Sequence, residues 1–202
     1  MSITNYGELK TAIANWLARS DLTDQIPDFV TLATSDLNRN LRVRQMEAVE
    51  SLSPTSGVYT LPDDYLTFRS VALESNPRRT LELVSPEYMD RRYGDRASGF
   101  TQVFTVEGNT IRVAPTSSSN LELRYYAALG ALSDDADTNW LLTKEPSIYL
   151  YTSLIHSAPF IGDDPRVSTW AEFAKSAVRS LTQEDTLAKI GRGGAHIRGA
   201  TP

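Results

Sequence analysis

The hydrophobic period changes twice along this chain, and that change limits the fold more than any other feature. Up to about residue 44, and again from about residue 131, apolar residues recur at spacings of three and four, as on amphipathic helices. Between about residues 45 and 130 the period shortens to two and turn residues come often, as in short half-buried strands. A chain of 202 residues written this way is expected to be α+β. The expected order is a helical hairpin over residues 1–44, an inserted, mostly antiparallel β-sheet region over 45–130, a second helical hairpin over 131–190 and a flexible C-terminal tail over 191–202. Two hairpins of this kind can close on each other as a four-helix bundle-like core.

The first helix should run from residue 6 to about residue 19. Asn5 followed three residues later by Glu8 has the form of a capping box. Leu9, Ile13, Trp16 and Leu17 then share one face. The second helix should begin near residue 25 or 26, with Asp24 as cap and Pro27 in the first turn. Its core stripe is Ile26, Phe29, Val30, Ala33, Leu37 and Leu41. The link Ser20-Asp-Leu-Thr is short, so the two helices should be antiparallel.

In the middle region the candidate strands are Val58-Tyr-Thr-Leu, residues 68–73, 81–84, 102–106 and 110–113. Gly108-Asn109 is a two-residue hairpin turn between the last two. Leu121, Leu123 and Tyr125 alternate with Glu122, Arg124 and Tyr126, the pattern of a half-buried strand. Ser85 followed by Pro86 starts a short helix over Pro-Glu-Tyr-Met-Asp-Arg-Arg-Tyr.

Residues 139–170 hold two of the three tryptophans and no catalytic motif. A third helix follows Pro146, with Ile148, Tyr151, Leu154, Ile155 and Ala158 on one face and Pro159 at its end. A fourth starts at Asp163, Asp164 and Pro165, with Asp164 as cap, and carries Val167, Trp170, Ala174, Ala177, Val178 and Leu181. Residues 191–202, Gly-Arg-Gly-Gly-Ala-His-Ile-Arg-Gly-Ala-Thr-Pro, offer too little apolar surface for a core. They should be mobile unless a partner orders them.

Catalytic chemistry is hard to assemble from these residues. There is no cysteine, which excludes disulfide frameworks and Cys-based zinc sites. His156 and His196 are the only histidines, and neither has a second ligand at i+3 or i+4. Ser157 adjoins His156 but points about 100° away on a helix, so they are not a nucleophile–base pair. Asp63-Asp64 follows Leu61-Pro62 and reads as a turn. Asp163-Asp164 reads as a helix start. The glycines around Arg192 follow a helix rather than a strand and lack Gly-Lys-Ser or Gly-Lys-Thr, so they are no phosphate loop. No cofactor and no metal are expected.

No apolar run approaches the ~20 residues that span a bilayer. The start, Met1-Ser-Ile-Thr-Asn-Tyr-Gly-Glu, has neither a basic nor an apolar region of the signal-peptide kind. A protein made in the cytoplasm is the expectation. The net charge is −5, which argues against a grip on nucleic acid and suits a surface that DNA slides past. Basic residues are sixteen arginines and four lysines. That bias suits bidentate pairing with carboxylates across interfaces. Arg39, Arg42 and Arg44 cluster at the end of the second helix. They either meet the helix C-terminus and solvent or dock on an acidic patch of a neighbouring subunit.

The motifs in order resemble the head-to-tail adaptor proteins of tailed bacteriophages, similar to the tail tubular protein A group of short-tailed phages. The resemblance rests on Tyr6-Gly-Glu-Leu, Ala14-Asn-Trp-Leu-Ala-Arg, Ile26-Pro-Asp-Phe-Val and Leu37-Asn-Arg-Asn-Leu-Arg-Val-Arg-Gln-Met. It continues through Leu61-Pro-Asp-Asp-Tyr-Leu, Trp140-Leu-Leu, Tyr149-Leu-Tyr, Ala158-Pro-Phe, Asp163-Asp-Pro-Arg and Trp170. It implies a non-enzymatic virion protein that forms a homo-oligomeric ring, usually of twelve copies, under the portal protein. Such a ring continues the channel for genomic double-stranded DNA and receives a downstream tail or nozzle protein. The C-terminal extension of such adaptors engages the portal, which maps here to residues 191–202, with Arg192, His196, Ile197 and Arg198 as contact candidates. The alternatives are another tail-completion or scaffolding protein without portal contact, or a small hydrolase using His156 with Asp163 or Asp164.

Overall fold

The computed structural model describes residues 3–19, 21–55, 57–94, 99–162 and 164–190. The chain runs α1 (Tyr6–Leu17), a 3-10 turn (Thr23–Gln25), α2 (Ile26–Asn40) and a second 3-10 turn (Arg44–Met46). It continues with β1 (Glu47–Leu52), β2 (Val58–Thr60), β3 (Tyr65–Leu73), β4 (Arg79–Thr80), β5 (Glu82–Leu83) and α3 (Pro86–Tyr93). Then follow β6 (Val103–Glu107), β7 (Thr110–Ala114) and β8 (Leu121–Ala127). It closes with α4 (Trp140–Lys144), α5 (Pro146–His156), α6 (Ala158–Ile161) and α7 (Arg166–Ile190). The described residues form two compact units, one within 1–45 and 129–190 and the other within 46–128.

The helical unit forms because each long helix buries one stripe. α1 starts where Asn5 Oδ1 accepts the Glu8 N–H at 2.9 Å. The Glu8 carboxylate turns back to the N–H and hydroxyl of Thr4, both at 2.7 Å, one residue earlier than a capping box requires. Leu9, Ile13 and Leu17 are buried as expected. Trp16 is not: it is 43% exposed on the flank of that stripe. α2 begins with Ile26 and carries Pro27 in its first turn. Asp24 does not cap it, because a 3-10 turn intervenes and no side chain bonds the first N–H groups. The whole expected stripe of α2, from Ile26 to Leu41, is buried.

α5 is the hub of this unit and packs against α1, α2, α4 and α7. Ile148, Tyr149, Leu150, Ser153 and Leu154 are its buried positions. Tyr151 and Ile155, expected on that face, are only half-buried. Asn139 caps α4 by accepting the Leu142 N–H at 3.0 Å, and its amide donates to Tyr149 Oη at 2.9 Å. Pro159 does not end the helix directly. α5 stops at His156, and the chain makes one more turn, α6, before Gly162 with φ +70°. Asp164 Oδ1 then accepts the Arg166 N–H at 2.8 Å at the start of α7, with Pro165 between them. Trp170, Ala174 and Leu181 of the expected α7 stripe are buried, while Val167, Ala177 and Val178 are half-buried.

The second unit is a two-sheet sandwich. One sheet has the order β1-β8-β3-β4 and the other β2-β7-β6-β5. All pairings are antiparallel except β5 with β6. Glu107 pairs with Thr110, which makes Gly108-Asn109 the two-residue turn. A positive φ at Gly108 (+58°), and at no other residue of that turn, fits a type II′ hairpin. Residues of both sheets, including Tyr59, Val71, Phe104, Ile111, Leu121, Leu123 and Tyr125, share one core with Leu61. Tyr59 is fully buried and its hydroxyl donates to Ser119 O at 2.8 Å, so its polar end is satisfied. Ser85 Oγ caps α3 by accepting the Tyr88 N–H at 3.2 Å. Met89 of that helix packs with Val103 and Ala114.

Candidate functional site

Several of the groups able to carry catalysis are engaged by neighbouring residues. His156 Nε2 lies 3.0 Å from Asp36 Oδ2 of α2. Asp164 is held by Arg166, whose Nε, Nη2 and backbone N–H all reach its carboxylate. Those hydrogen bonds keep the Asp164 carboxyl below its ordinary range. Asp163 lies outside the described residues. Ser157 is buried and donates its hydroxyl to Leu154 O at 2.7 Å, so it is not poised as a nucleophile. In the sandwich, Tyr125 Oη donates to Asp64 Oδ1 at 2.9 Å, with Glu50 Oε2 at 3.4 Å. Burial, and then the neighbouring carboxylates, push its pKa well above the usual phenol value. That tyrosine is a core residue with a satisfied tip. Among the described residues no group of three or more His, Cys, Asp or Glu is placed to hold a metal ion.

What the helical unit does display is a basic corner. α2 ends at Asn40, and Leu41 turns into extended conformation as its cap. Arg42 Nη1 returns to the freed carbonyls of that end, 2.6 Å from Asn38 O and 2.5 Å from Leu41 O. A cation there satisfies orphan acceptors and complements the helix dipole. Asn38 Oδ1 also accepts the Leu129 N–H at 2.9 Å, which fixes the corner within the unit. Arg39 points outward, its side chain 73% exposed and 3.7 Å from Asp36.

Arg44 is anchored by its backbone rather than its guanidinium. Its N–H donates to Asp185 Oδ1 of α7 at 2.8 Å. Asp185 is buried, and Lys189 Nζ sits 2.7 Å from its other oxygen. Burial opposes the charge on Asp185, but the contacts from Lys189 and Arg44 outweigh it and hold its carboxyl below the usual range. Sequence reasoning passed over Asp185. The available signal was an acid four residues before a lysine on a helix, which is a common pattern on solvated faces.

Aromatic rings from three helices make a second exposed feature. Tyr151 of α5 lies between Trp16 of α1, at 5.6 Å edge to face, and Phe173 of α7, at 5.2 Å. Phe173 is 46% exposed, so this row is packing on one side and surface on the other. Among the tyrosines, Tyr125 and Tyr149 are core, whereas Tyr126 and Tyr151 are half-buried.

Arg192, His196, Ile197 and Arg198 lie outside the described residues. No helix among the described residues is long and apolar enough to cross a membrane. Aromatics and arginines on the surface of the helical unit suit a part that binds other proteins. The chain matches the family model described as SU10 adaptor protein over residues 4–196. No curated protein matches it. Because the family match spans nearly the whole chain, the protein belongs to the SU10 adaptor protein family, the head-to-tail adaptors of tailed bacteriophages.

Proposed function

We propose that this adaptor forms a ring, of twelve copies, under the portal protein of a tailed phage, joins capsid to tail and continues the DNA channel. Family membership over residues 4–196 is the observation that carries this reading. The helical unit, with α1, α2, α5 and α7 as an irregular four-helix bundle, supplies the ring contacts, and the sandwich faces outward or toward the tail or nozzle protein. Residues 1–44 and 131–190 act as the two hairpins of that bundle, 45–130 as the insertion and 191–202 as the portal-docking tail. Arg192, His196, Ile197 and Arg198 are the proposed portal contacts, and Arg39, Arg42 and Arg44 the proposed inter-subunit contacts. A tail that orders on docking makes assembly conditional on the partner. Repetition around a ring turns a modest contact into a durable joint. The net charge of −5 keeps passing DNA from adhering. The protein acts in the virion at the head–tail junction and reaches it from the host cytoplasm during assembly.

Mixing the purified protein with purified portal protein tests this reading. A joint ring near twelve adaptors per portal, seen by native mass measurement or electron microscopy, is the expected result. Deleting residues 191–202 should abolish docking while leaving the circular dichroism spectrum and melting point unchanged. Failure of the intact protein to bind the portal would favour a tail-completion protein without portal contact.

A further inference from the structure

The α1–α2 hairpin carries opposite charge at its two ends. At the C-terminal end of α2 stand Arg39 and Arg44, both exposed, and half-buried Arg42. At the other end a cleft of about 570 Å³ opens beside α1 and the 3-10 turn that precedes α2. Lys10, Thr11, Asp24, Pro27 and Asp135 are among its walls. Lys10 Nζ already pairs with Asp135 Oδ1 at 2.6 Å, yet the Asp135 side chain is still 76% exposed. Asp24 and Asp28 add two more exposed carboxylates at the same end. The loop that brings Asp135 here is fixed: Tyr6 and Gly7 N–H donate to Asp137 O and Asp135 O at 2.9 and 3.0 Å. The Asp137 carboxylate accepts the N–H groups of Ser133 and Asp134, both at 2.8 Å. Gly7 permits this approach, since a Cβ there would come within 3.2 Å of Asp135 Cβ.

These two ends cannot serve each other within one copy. α2 has 15 residues, and at ~1.5 Å per residue its ends lie roughly 20 Å apart. We infer that the acidic cleft of one copy receives the α2 arginines of a second copy, so that neighbouring copies join head to tail. Guanidinium groups suit this role, because they stay charged and pair with carboxylates through a planar fork. Exposed Leu32 lies between the two ends on the same outer face of α2 and gives that contact an apolar centre. A contact between two different surfaces is heterologous and closes into a ring when the rotation allows. The inference rests on the ring reading above and names the surfaces that build it.

A charge-swap experiment tests it. The R39E/R42E variant carries acid at both ends, and the D24R/D135R variant carries base at both. Ring formation on purified portal protein is measured by native mass for the wild type, for each variant and for their equal mixture. Each folded variant alone should lose assembly by about tenfold or more, and the mixture should recover it, because opposite ends then alternate around the ring. Wild-type assembly should also weaken as salt is raised. Arg42 also holds the α2 carbonyls, so should charge reversal at either end unfold the protein, D24N and R39Q replace the pair, and each should weaken assembly several-fold. Normal assembly by folded variants overturns the inference and leaves the ring reading intact. So does a mixture that stays unassembled beside a wild type that forms rings, or recovery that stops at two copies, which would mean a two-fold pairing of α2. A wild type that forms no ring overturns the ring reading and this inference together.

Discussion

The sandwich and the helical unit use arginine in different ways. In the sandwich, Arg69 pairs with Glu47, Arg78 and Arg124 both reach Glu122, and Arg112 reaches Glu107 and Asp90. Arg79 stacks over the exposed Phe100 ring at 4.3 Å. In the helical unit, Arg19 and Arg166 pair with carboxylates two residues away, whereas Arg42 turns to helix-end carbonyls and exposed Arg39 makes only a 3.7 Å contact with Asp36. The aromatic row of Trp16, Tyr151 and Phe173 belongs to the helical unit as well. Both units bury apolar cores of ordinary kind, so the difference lies at their surfaces. Both units pair cations internally, Lys10, Lys144 and Lys189 of the helical unit included, but Arg39 has only its 3.7 Å contact with Asp36, and the aromatic row leaves rings at the surface of the helical unit.

The comparison treats the two units as separate in stability, and the largest expected effect tests that. Leu123 is fully buried in the sandwich core. Leu123→Ala should cost about 2–5 kcal/mol through lost burial and a residual cavity. Trp16, Trp140 and Trp170 all lie in the helical unit. Tryptophan fluorescence in urea should therefore keep its wild-type midpoint in this variant, while the strand signal in circular dichroism moves to lower urea. Equal movement of both signals would make the chain one cooperative unit and remove the basis for contrasting the two.

Much of this contrast was legible from residue order. The change of period marks the sheet region because side chains alternate across a strand and recur every 3.6 residues on a helix. Helix starts at Asn5 and Ser85 are local chemistry, and each side chain makes its cap; the short α4, capped by Asn139, was not read from the sequence. What stayed hidden was set by packing between segments. β1 reads Glu-Ala-Val-Glu-Ser-Leu, with only Leu52 buried, because it is an edge strand paired on one side. Its pattern therefore lacks the alternation that reveals a strand. The division into two sheets, and the parallel β5–β6 pair, depend on pairings between distant residues. Trp16 falls on the helical stripe by spacing yet stands at its margin, where a large ring is only partly covered. Asp185 gained its role from the Arg44 backbone, 141 residues away in sequence.

A middle-sized effect is expected at that buried contact. Asp185→Asn removes the carboxylate that the Arg44 N–H and the Lys189 ammonium meet, at a cost of about 1.5–3 kcal/mol. Tryptophan fluorescence should report this loss, since Asp185 lies in the helical unit. The pH dependence has a defined sign. The Asp185 carboxyl is held below its ordinary range in the folded chain. It therefore contributes stability above the unfolded value near ~3.9, and that contribution disappears as pH falls through the folded value. The gap between wild type and Asp185→Asn should be full at neutral pH and shrink below about pH 4. A gap that is unchanged by acid would mean that shape, rather than charge, fixes this corner.

The smallest effect on stability is the sharpest on function. Arg124 Nε lies 2.8 Å from Glu122 Oε1, and the same oxygen takes Arg78 Nη2 at 2.7 Å. The two arginine side chains are about half exposed, so Arg124→Gln should change stability by less than about 1 kcal/mol. Arg39→Gln should change it equally little, because its contact with Asp36 is long and solvated. Melting curves of the two variants should overlap with the wild type. Assembly should separate them. Arg124 already spends its charge on Glu122, so its loss should leave ring formation as it was, while loss of Arg39 should weaken ring formation several-fold and flatten its salt dependence. Equal weakening by both would place the outer face of the sandwich in the interface too, and the two ways of using arginine would then no longer distinguish a self-contained unit from a docking one.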